Sequence, residues 1–395
     1  MLAGLAAVEN RRGDPPLPLA VEFLGSLTDA EGVWRDLEAG GVLSPYQRFD
    51  WVTEVVAAKQ SAARVVVAVA KVGMNPVALL PLELDYTLGA CRGRILGSEI
   101  GNSDWLIVAG DAEAGVGDRA LELIARKLGA AWGVDLLQFN NAPGTWQSSP
   151  NPLLRWPHHL SSDHLYLNAL PKGDARLDAK RRSNLLRGKR RLEEQFGPVR
   201  LRHAESLDEV EEVHAVFRDQ RTARFKRMGI ENPFESTEFQ ELFKSAAVNS
   251  LAKTVPTFRF HALYAGDEIV ATALGIYSGK HYSQYINSTS DGPASKYSLM
   301  GMLMLELARE FVSEGITSFD LGVGNFDYKL DWSDPVDVYD ILVPLSSRGK
   351  VAAAFISKMQ AAKRAIKTNA VLWPLAKRAR AYRHAILSRI RAKAA

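Results

Sequence analysis

The chain has 395 residues, 47% hydrophobic and 24% charged, which suits a globular protein with two ordinary cores and excludes a disordered or fibrous chain. One cysteine, Cys91, excludes an internal disulfide framework and fits a reducing cytoplasm; we read it as an inert thiol in a turn. The net charge of +4 hides an asymmetry: residues 341–395 hold 13 of the 49 Lys/Arg and no acid, leaving 36 against 45 Asp/Glu, a net −9, in the remainder.

Residues 1–18 carry Glu9, Arg11, Arg12 and Asp14 before PPLP, lack a signal-peptide core, and read as a flexible lead-in. No run reaches transmembrane length without charge. In SPYQRFDWVTEV, residues 44–55, Phe49 and Trp51 either pack in a core or stack on a sugar. ARVVVAVAKV and NPVALLPLEL predict a hairpin about Gly73–Asn75. RGRILGS and DWLIVAGD predict strands, followed by a helix over Asp118–Trp132 and the strand VDLLQFNN. APGTWQSSPNPLLRWP reads as a linker or a substrate-facing loop. His158, His159 and His164 are spaced poorly for a closed metal site, and we expect no metal. LSSDHLYLNAL reads as a strand crossing into a second unit.

Helices over Ala179–Phe196 and Leu207–Met228 come next, joined by a strand in GPVRLRHAES, with Ser206 as a cap. KRRSNLLRGKRR is a solvated face or a rail for an anionic substrate; it lacks the stacking aromatics of a nucleic-acid surface. Arg221 and Arg224, near a helix C-terminus, either offset the helix dipole or grip a carboxylate or phosphate. FRFHALYAG and EIVATALGIYSGK predict a hairpin about Gly266–Asp267, before the strand HYSQYINST, a helix over Leu299–Gly315 and the strand ITSFDLGVG. This order repeats the first run, with matching helices about 180 residues apart, as in a tandem duplication of one α/β unit.

The segment from Tyr282 to Trp332 concentrates chemistry. Ser298 can cap the helix that follows it, leaving amides at a positive dipole end suited to a pyrophosphate. Met300, Met302 and Met304 read as core filler. Asp320, Tyr328 and Lys329 put an acid, a phenol and an amine at the next strand end. The plain alternative is a turn-capping Asp, a core Tyr and a surface Lys.

This order of elements resembles the second half of a GNAT-type acyltransferase, and more closely the Fem-like, CelD-type acetyltransferases linked to cellulose and exopolysaccharide production. Their S-P-G-x-L-L stands here as Ser298-Leu299-Met300-Gly301, without the Pro-Gly and with its glycine one place later. Their F-D-x-G-x-G-x-x-x-Y-K-x-x-W stands as Phe319-Asp320-Leu321-Gly322-Val323-Gly324, Tyr328-Lys329 and Trp332. The resemblance covers residues 30–345.

It implies two tandem GNAT-like α/β domains, residues 19–160 and 161–346, followed by a basic amphipathic helical tail, 347–395. The second domain is to carry the acyl-CoA site, with Lys296, Tyr297, Ser298 and Gly301 as the cradle. Asp320 is to act as base, Tyr328 to protonate the leaving sulfur, and Lys329 to serve as donor or anion anchor. Arg221, Arg224, Gln284 and Trp51 are the substrate-binding candidates. The implied reaction moves an acyl group, acetyl first, from acyl-CoA to an amine or hydroxyl of a saccharide or exopolysaccharide precursor. Two alternatives stay open. One is tRNA-dependent aminoacyl transfer of Fem type, against which the acidic body argues. The other is a non-catalytic, membrane-associated accessory of an exopolysaccharide synthase. The tail predicts helices over Val351–Thr368 and Leu375–Lys393, broken at Pro374. It either packs on the acidic body or lies on an anionic membrane, giving a cytoplasmic protein peripheral to the inner face.

Overall fold

Alternating apolar strands and capped helices set the architecture. The computed structural model describes residues 18–59, 64–112, 115–170, 177–376, 378, 379 and 382. The first half runs β1 (Leu19–Leu24), α1 (Leu27–Gly40), α2 (Phe49–Ala58), β2 (Arg64–Val72), β3 (Asn75–Thr87), β4 (Ala90–Ile95), β5 (Ile107–Val108), α3 (Val116–Trp132) and β6 (Leu136–Pro143), then the small hairpin β7 (Thr145–Trp146) and β8 (Ser149–Pro150). The second runs β9 (His158–Ala169), α4 (Ala179–Phe196), β10 (Val199–His203), α5 (Leu207–Met228), α6 (Thr237–Leu251), β11 (Phe258–Ala265), β12 (Glu268–Ser278), β13 (His281–Thr289), α7 (Leu299–Ser313), β14 (Ser318–Val323), β15 (Asp334–Pro344) and α8 (Ser347–Thr368). Side-chain caps fix several starts: Asp178 accepts from Arg181, Ser206 from Glu209 and Ser236 from Phe239. Both predicted hairpins form, turning after Val72 and after Ala265.

The main sheet has the order β1-β2-β3-β4-β6-β15-β9-β14-β13-β12-β11-β10, with β5 beside β3. Two neighbour pairs are parallel, and each is bridged by a helix. β4 and β6 flank α3 and pair over Arg92↔Leu136, Gly93↔Leu137 and Arg94↔Gln138. β13 and β14 flank α7 and pair over His281↔Ser318, Tyr282↔Phe319 and Ser283↔Asp320. The same β–α–β unit thus occurs twice, and in each the strands part after three residue pairs. β9 pairs with β14 and β15, and β15 also pairs with β6, so one sheet crosses both halves.

α3 buries Ala120, Leu121, Ile124 and Leu128 on β2 and β3. On the second half, α7 buries Met302, Leu303, Leu307 and Phe311 against Tyr282 and Phe319. α1, α2, α5 and α6 share a third core, where Trp34, Trp51, Phe217 and Phe243 meet Val67, Val69, Phe258 and Phe260. Packing across the halves is therefore aromatic, with Trp51 of α2 stacked on Phe258 of β11 at 5.8 Å between centroids. Cys91 lies on β4, not in a turn; it is buried, and burial pushes its thiol up.

An ion cluster ties α2 to the second half. Asp50 receives Arg35 at 2.8 Å and Lys253 at 2.7 Å. Burial opposes its ionisation, yet the hydrogen bonds from Arg35 and Lys253 bring its acid down to about 2. A depressed acid contributes stability above its unfolded value of about 3.9, and loses it as pH falls towards 2. The expected result is about 1 kcal/mol of urea-unfolding stability that Asp50→Asn lacks at pH 5 but not at pH 2. An equal difference at both pH values would assign the loss to packing.

The predicted tail helix begins earlier, at Ser347, because Ser346 caps it by accepting from the Gly349 amide. The second tail helix lies largely outside the described residues; 372–376 are helical. No described helix is long and apolar enough to cross a membrane.

Candidate active site

The parting of β13 and β14 builds a slot. Pairing ends at Ser283 and Asp320. At the next residue β13 carries a bulge: Gly275 of β12 faces Gln284 while Leu274 faces Ile286, leaving Tyr285 extra. Gln284 is buried, and neither its side-chain oxygen nor its nitrogen has a protein partner. β14 swings away at Gly322, where φ is +68° and Asn102 Nδ2 lies 2.8 Å from where a Cβ would stand, so this position requires glycine. Lys329 turns back over the bend and donates to the Gly322 and Val323 carbonyls at 3.1 and 3.2 Å. It is 3% exposed, with its amine over the Tyr166 and Phe326 rings. Burial brings this amine down to about 8, despite the opposing field of Asp320.

Asp320 is 1% exposed and its oxygens are taken. Oδ1 accepts from Ser283 Oγ at 2.9 Å and from the Gly322 amide at 2.7 Å; Oδ2 meets His281 Nε2 at 2.8 Å. The other His281 nitrogen meets Ser318 Oγ at 2.8 Å. Ser283 Oγ, donating to Asp320, receives the Tyr46 hydroxyl at 2.8 Å, and Tyr46 in turn accepts from Asn102. A hydrogen-bonded line thus runs from the first half into the base of the slot. Trp146 of the first half meets the His281 ring edge-on at 4.8 Å.

Tyr328 and Arg221 meet through one asparagine. Asn287 Nδ2 donates to the Tyr328 hydroxyl at 3.0 Å, and the Asn287 carbonyl accepts from Arg221 at 3.1 Å. The Arg221 guanidinium lies within 5 Å of the Phe225 and Phe234 ring centroids, at 4.9 and 4.8 Å. Its Nε is buried without a partner. Burial, then the charge of Arg224, lowers it to about 10. It borders a cavity of about 210 Å³ with Arg218, Asn232 and Gln240.

The equivalent fork in the first half is filled. Just beyond the last β4–β6 pair, Asp104 accepts from the Asn140 amide at 2.7 Å and from Ser98 at 2.8 Å. Burial pushes this acid up to about 7. A larger cavity, about 600 Å³, lies elsewhere in this half between Val42, Trp105 and Pro152; it contains no residue of the β13–β14 slot.

The start of α7 departs from expectation. Ser298 occupies the cap position but its side chain makes no capping bond, because its ψ of 66° is not extended. The Leu299 amide is taken by the Tyr297 carbonyl, which leaves the following first-turn amides without a helical carbonyl. Lys296 and Ser298 are exposed, and Tyr297 donates to Gln195 of α4. Gly301 faces α4: a Leu185 methyl lies 2.6 Å from where its Cβ would stand. Lys296, Ser298 and the free amides therefore fit a phosphate, while Gly301 admits α4.

Trp51 is a correction. It is buried, stacked on Phe258 at 5.8 Å, because α2 turns this side inward with Val52 and Val55; it has no face for a sugar. Tyr46, Asn102, Ser283 and His281 join the site without any local motif that marks them. Tyr46 lay in a segment already singled out, but its partner is 237 residues away. Elsewhere, His203, Glu310 and Glu314 lie close enough to hold an ion, yet Glu310 already meets His203 at 3.3 Å and Glu314 meets Arg259 at 2.6 Å.

Residues 179–330 match the family model of an acetyltransferase (GNAT) domain. No curated protein matches the chain. Among solved structures it is similar to FemX, at 10% identity over 82% of this chain and 97% of that one, with a TM-score of 0.56. It is also similar to the C-terminal domain of a putative lysylphosphatidylglycerol synthetase from Agrobacterium fabrum (12%, 85% and 96%, TM-score 0.51) and to L-PGS from Bacillus licheniformis (12%, 84% and 96%, 0.51). At such identities the likeness is one of fold. The α/β fold is of the GNAT, Fem-like type, and with the domain match it supports an acyltransferase enzyme.

Proposed function

We propose that this chain moves an acyl group, acetyl first, from acyl-CoA to an amine or hydroxyl of a saccharide or exopolysaccharide precursor, in the β13–β14 slot. One observation carries the reading: the buried, unpaired amide of Gln284 sits where the parallel strands part, at the same fork as a near-neutral amine. An unpaired buried amide costs about 1–3 kcal/mol, a cost a ligand removes when it completes the bonds. The saccharide rests on the CelD-type resemblance.

Acyl-CoA would supply the thioester, with its pyrophosphate at Lys296, Ser298 and the open α7 amides. Neutral Lys329 spends two N–H groups on the Gly322 and Val323 carbonyls and keeps its lone pair for the proton shed by the nucleophile. Tyr328 is the phenol available to protonate the leaving sulfur. Asp320, with both oxygens engaged by Ser283, the Gly322 amide and His281, holds the fork in shape. Arg221 and Arg224 receive an anionic group of the acceptor.

Calorimetry against a panel of acyl-CoA thioesters tests the donor. Binding is expected, and Lys296→Ala is expected to weaken it about tenfold, one exposed charge-assisted contact. Gly301→Val is a poorer probe because it also pushes on Leu185. Absence of any acyl-CoA binding would sink the proposal. A second reading, aminoacyl transfer from charged tRNA, is favoured by the fold shared with FemX and by the exposed Lys180, Arg187, Arg190 and Arg191 of α4. Co-purifying tRNA together with indifference to acyl-CoA would select it.

A further inference from the structure

α8 is docked on the body by one side only. Gly349 and Ala352 are buried there, and Ile356 packs with Ala90, Leu136 and Leu342. Gln360 meets His159 at 3.1 Å and Lys367 meets Asp163 at 2.5 Å. A second apolar stripe then remains uncovered. Val351, Phe355, Met359 and Ile366, spaced i, i+4, i+8 and i+15, are 71, 51, 59 and 38% exposed. It continues into Val371, Leu372 and Leu375. Of 17 large hydrophobic residues exposed among the described residues, eight fall between 351 and 382. Apolar residues scattered singly on a surface are ordinary, but a row along one helix is a contact surface.

The charge around the row selects the partner. Lys358 and Lys363 flank it, Arg348 lies at its start, and residues 341–395 contain no acid. A matching row on a second copy would bring two tails of 13 Lys/Arg each together, which like-charge repulsion opposes. An anionic bilayer offers what the row needs along its full length, an apolar depth beneath a sheet of negative headgroups. We infer that α8 and the turn after it dock on an anionic lipid bilayer. The helix lies in the headgroup plane, with Val351, Phe355, Met359 and Ile366 at the acyl boundary. The −9 body favours the same pose, since the membrane repels it and the tail alone is drawn in.

The surface lies on a different element from the transferase slot, so the test is independent of it. The full chain is sedimented with vesicles of phosphatidylcholine alone, or with about one-third phosphatidylglycerol, at low and high salt. Partition onto the anionic vesicles, weakening with salt and absent on phosphatidylcholine, is expected. The double variant Phe355→Ser/Met359→Ser, altered only at exposed positions, is expected to lose at least about tenfold of that partition at an unchanged melting temperature. Lys358→Glu/Lys363→Glu should do the same, and Lys329→Met should sediment like the parent. No binding to anionic vesicles at low salt overturns the inference. So does a serine variant that binds as well as the parent, since the row then does not insert. A dimer that dissolves in the serine variant without lipid overturns it in favour of a second copy.

Discussion

Asp320→Ala is expected to cost about 3–5 kcal/mol of stability, and Asp320→Asn only about 1–2. The alanine strands three donors at once: Ser283 Oγ, the Gly322 amide and His281, all buried around a residue that is 1% exposed. The asparagine can keep all three partners. Its oxygen takes Ser283 and Gly322, and its amide donates to His281 Nε2 once the imidazole proton moves to Nδ1. Ser318 Oγ, 2.8 Å from Nδ1, then accepts that proton. Urea unfolding of the three proteins at pH 7 checks the order. Turnover of folded Asp320→Asn is expected to stay within about tenfold of the parent, because both carboxylate oxygens are already engaged by Ser283, Gly322 and His281. A fall of about 10²–10⁴ at nearly unchanged stability would make Asp320 the proton acceptor itself.

Much of this frame was legible in the chain. The limits of α4 and α5 follow from a capping Asp178 or Ser206 and a closing Gly197 or Gly229. The β13–α7–β14 crossover follows from alternation, then a helical stripe, then alternation again. β15 was not legible, because Asp334, Asp337 and Asp340 break its apolar pattern. Its place is set by β6 and β9 on either side, partners that local sequence does not announce. The same limit governs the site. Asp320 and Lys329 are visible in F-D-x-G and Y-K. What Asp320 can do depends on His281 and Ser283, and these reach Tyr46 and Trp146 only through the tertiary fold. Trp51 had two readings in the sequence, core packing or a sugar platform, and only the tertiary cover of α6 and β11 decides for the core.

Lys329→Met is expected to lower turnover about 10²–10⁴ while leaving acyl-CoA affinity nearly unchanged. The pH profile carries the stronger test. A base works when neutral, so kcat/KM of the parent should rise with pH through about 8 and then level. If the ammonium instead stabilised an oxyanion, the rate would fall above that pH, and the base assignment would fail. Stability must move with it. The lysine of the folded chain holds its proton less tightly than in the unfolded chain, where the value is about 10.4. Between pH 8 and 10 the unfolded state therefore binds more protons, and the parent gains stability as pH rises. The methionine variant lacks this gain. At pH 7 it avoids burying a charge that no carboxylate contacts among the described residues, so it is expected to be at least as stable as the parent. A group that weakens the fold and is needed for turnover is the trade-off expected of a catalytic lysine. A Met variant that is inactive because it unfolds would place Lys329 in the scaffold instead.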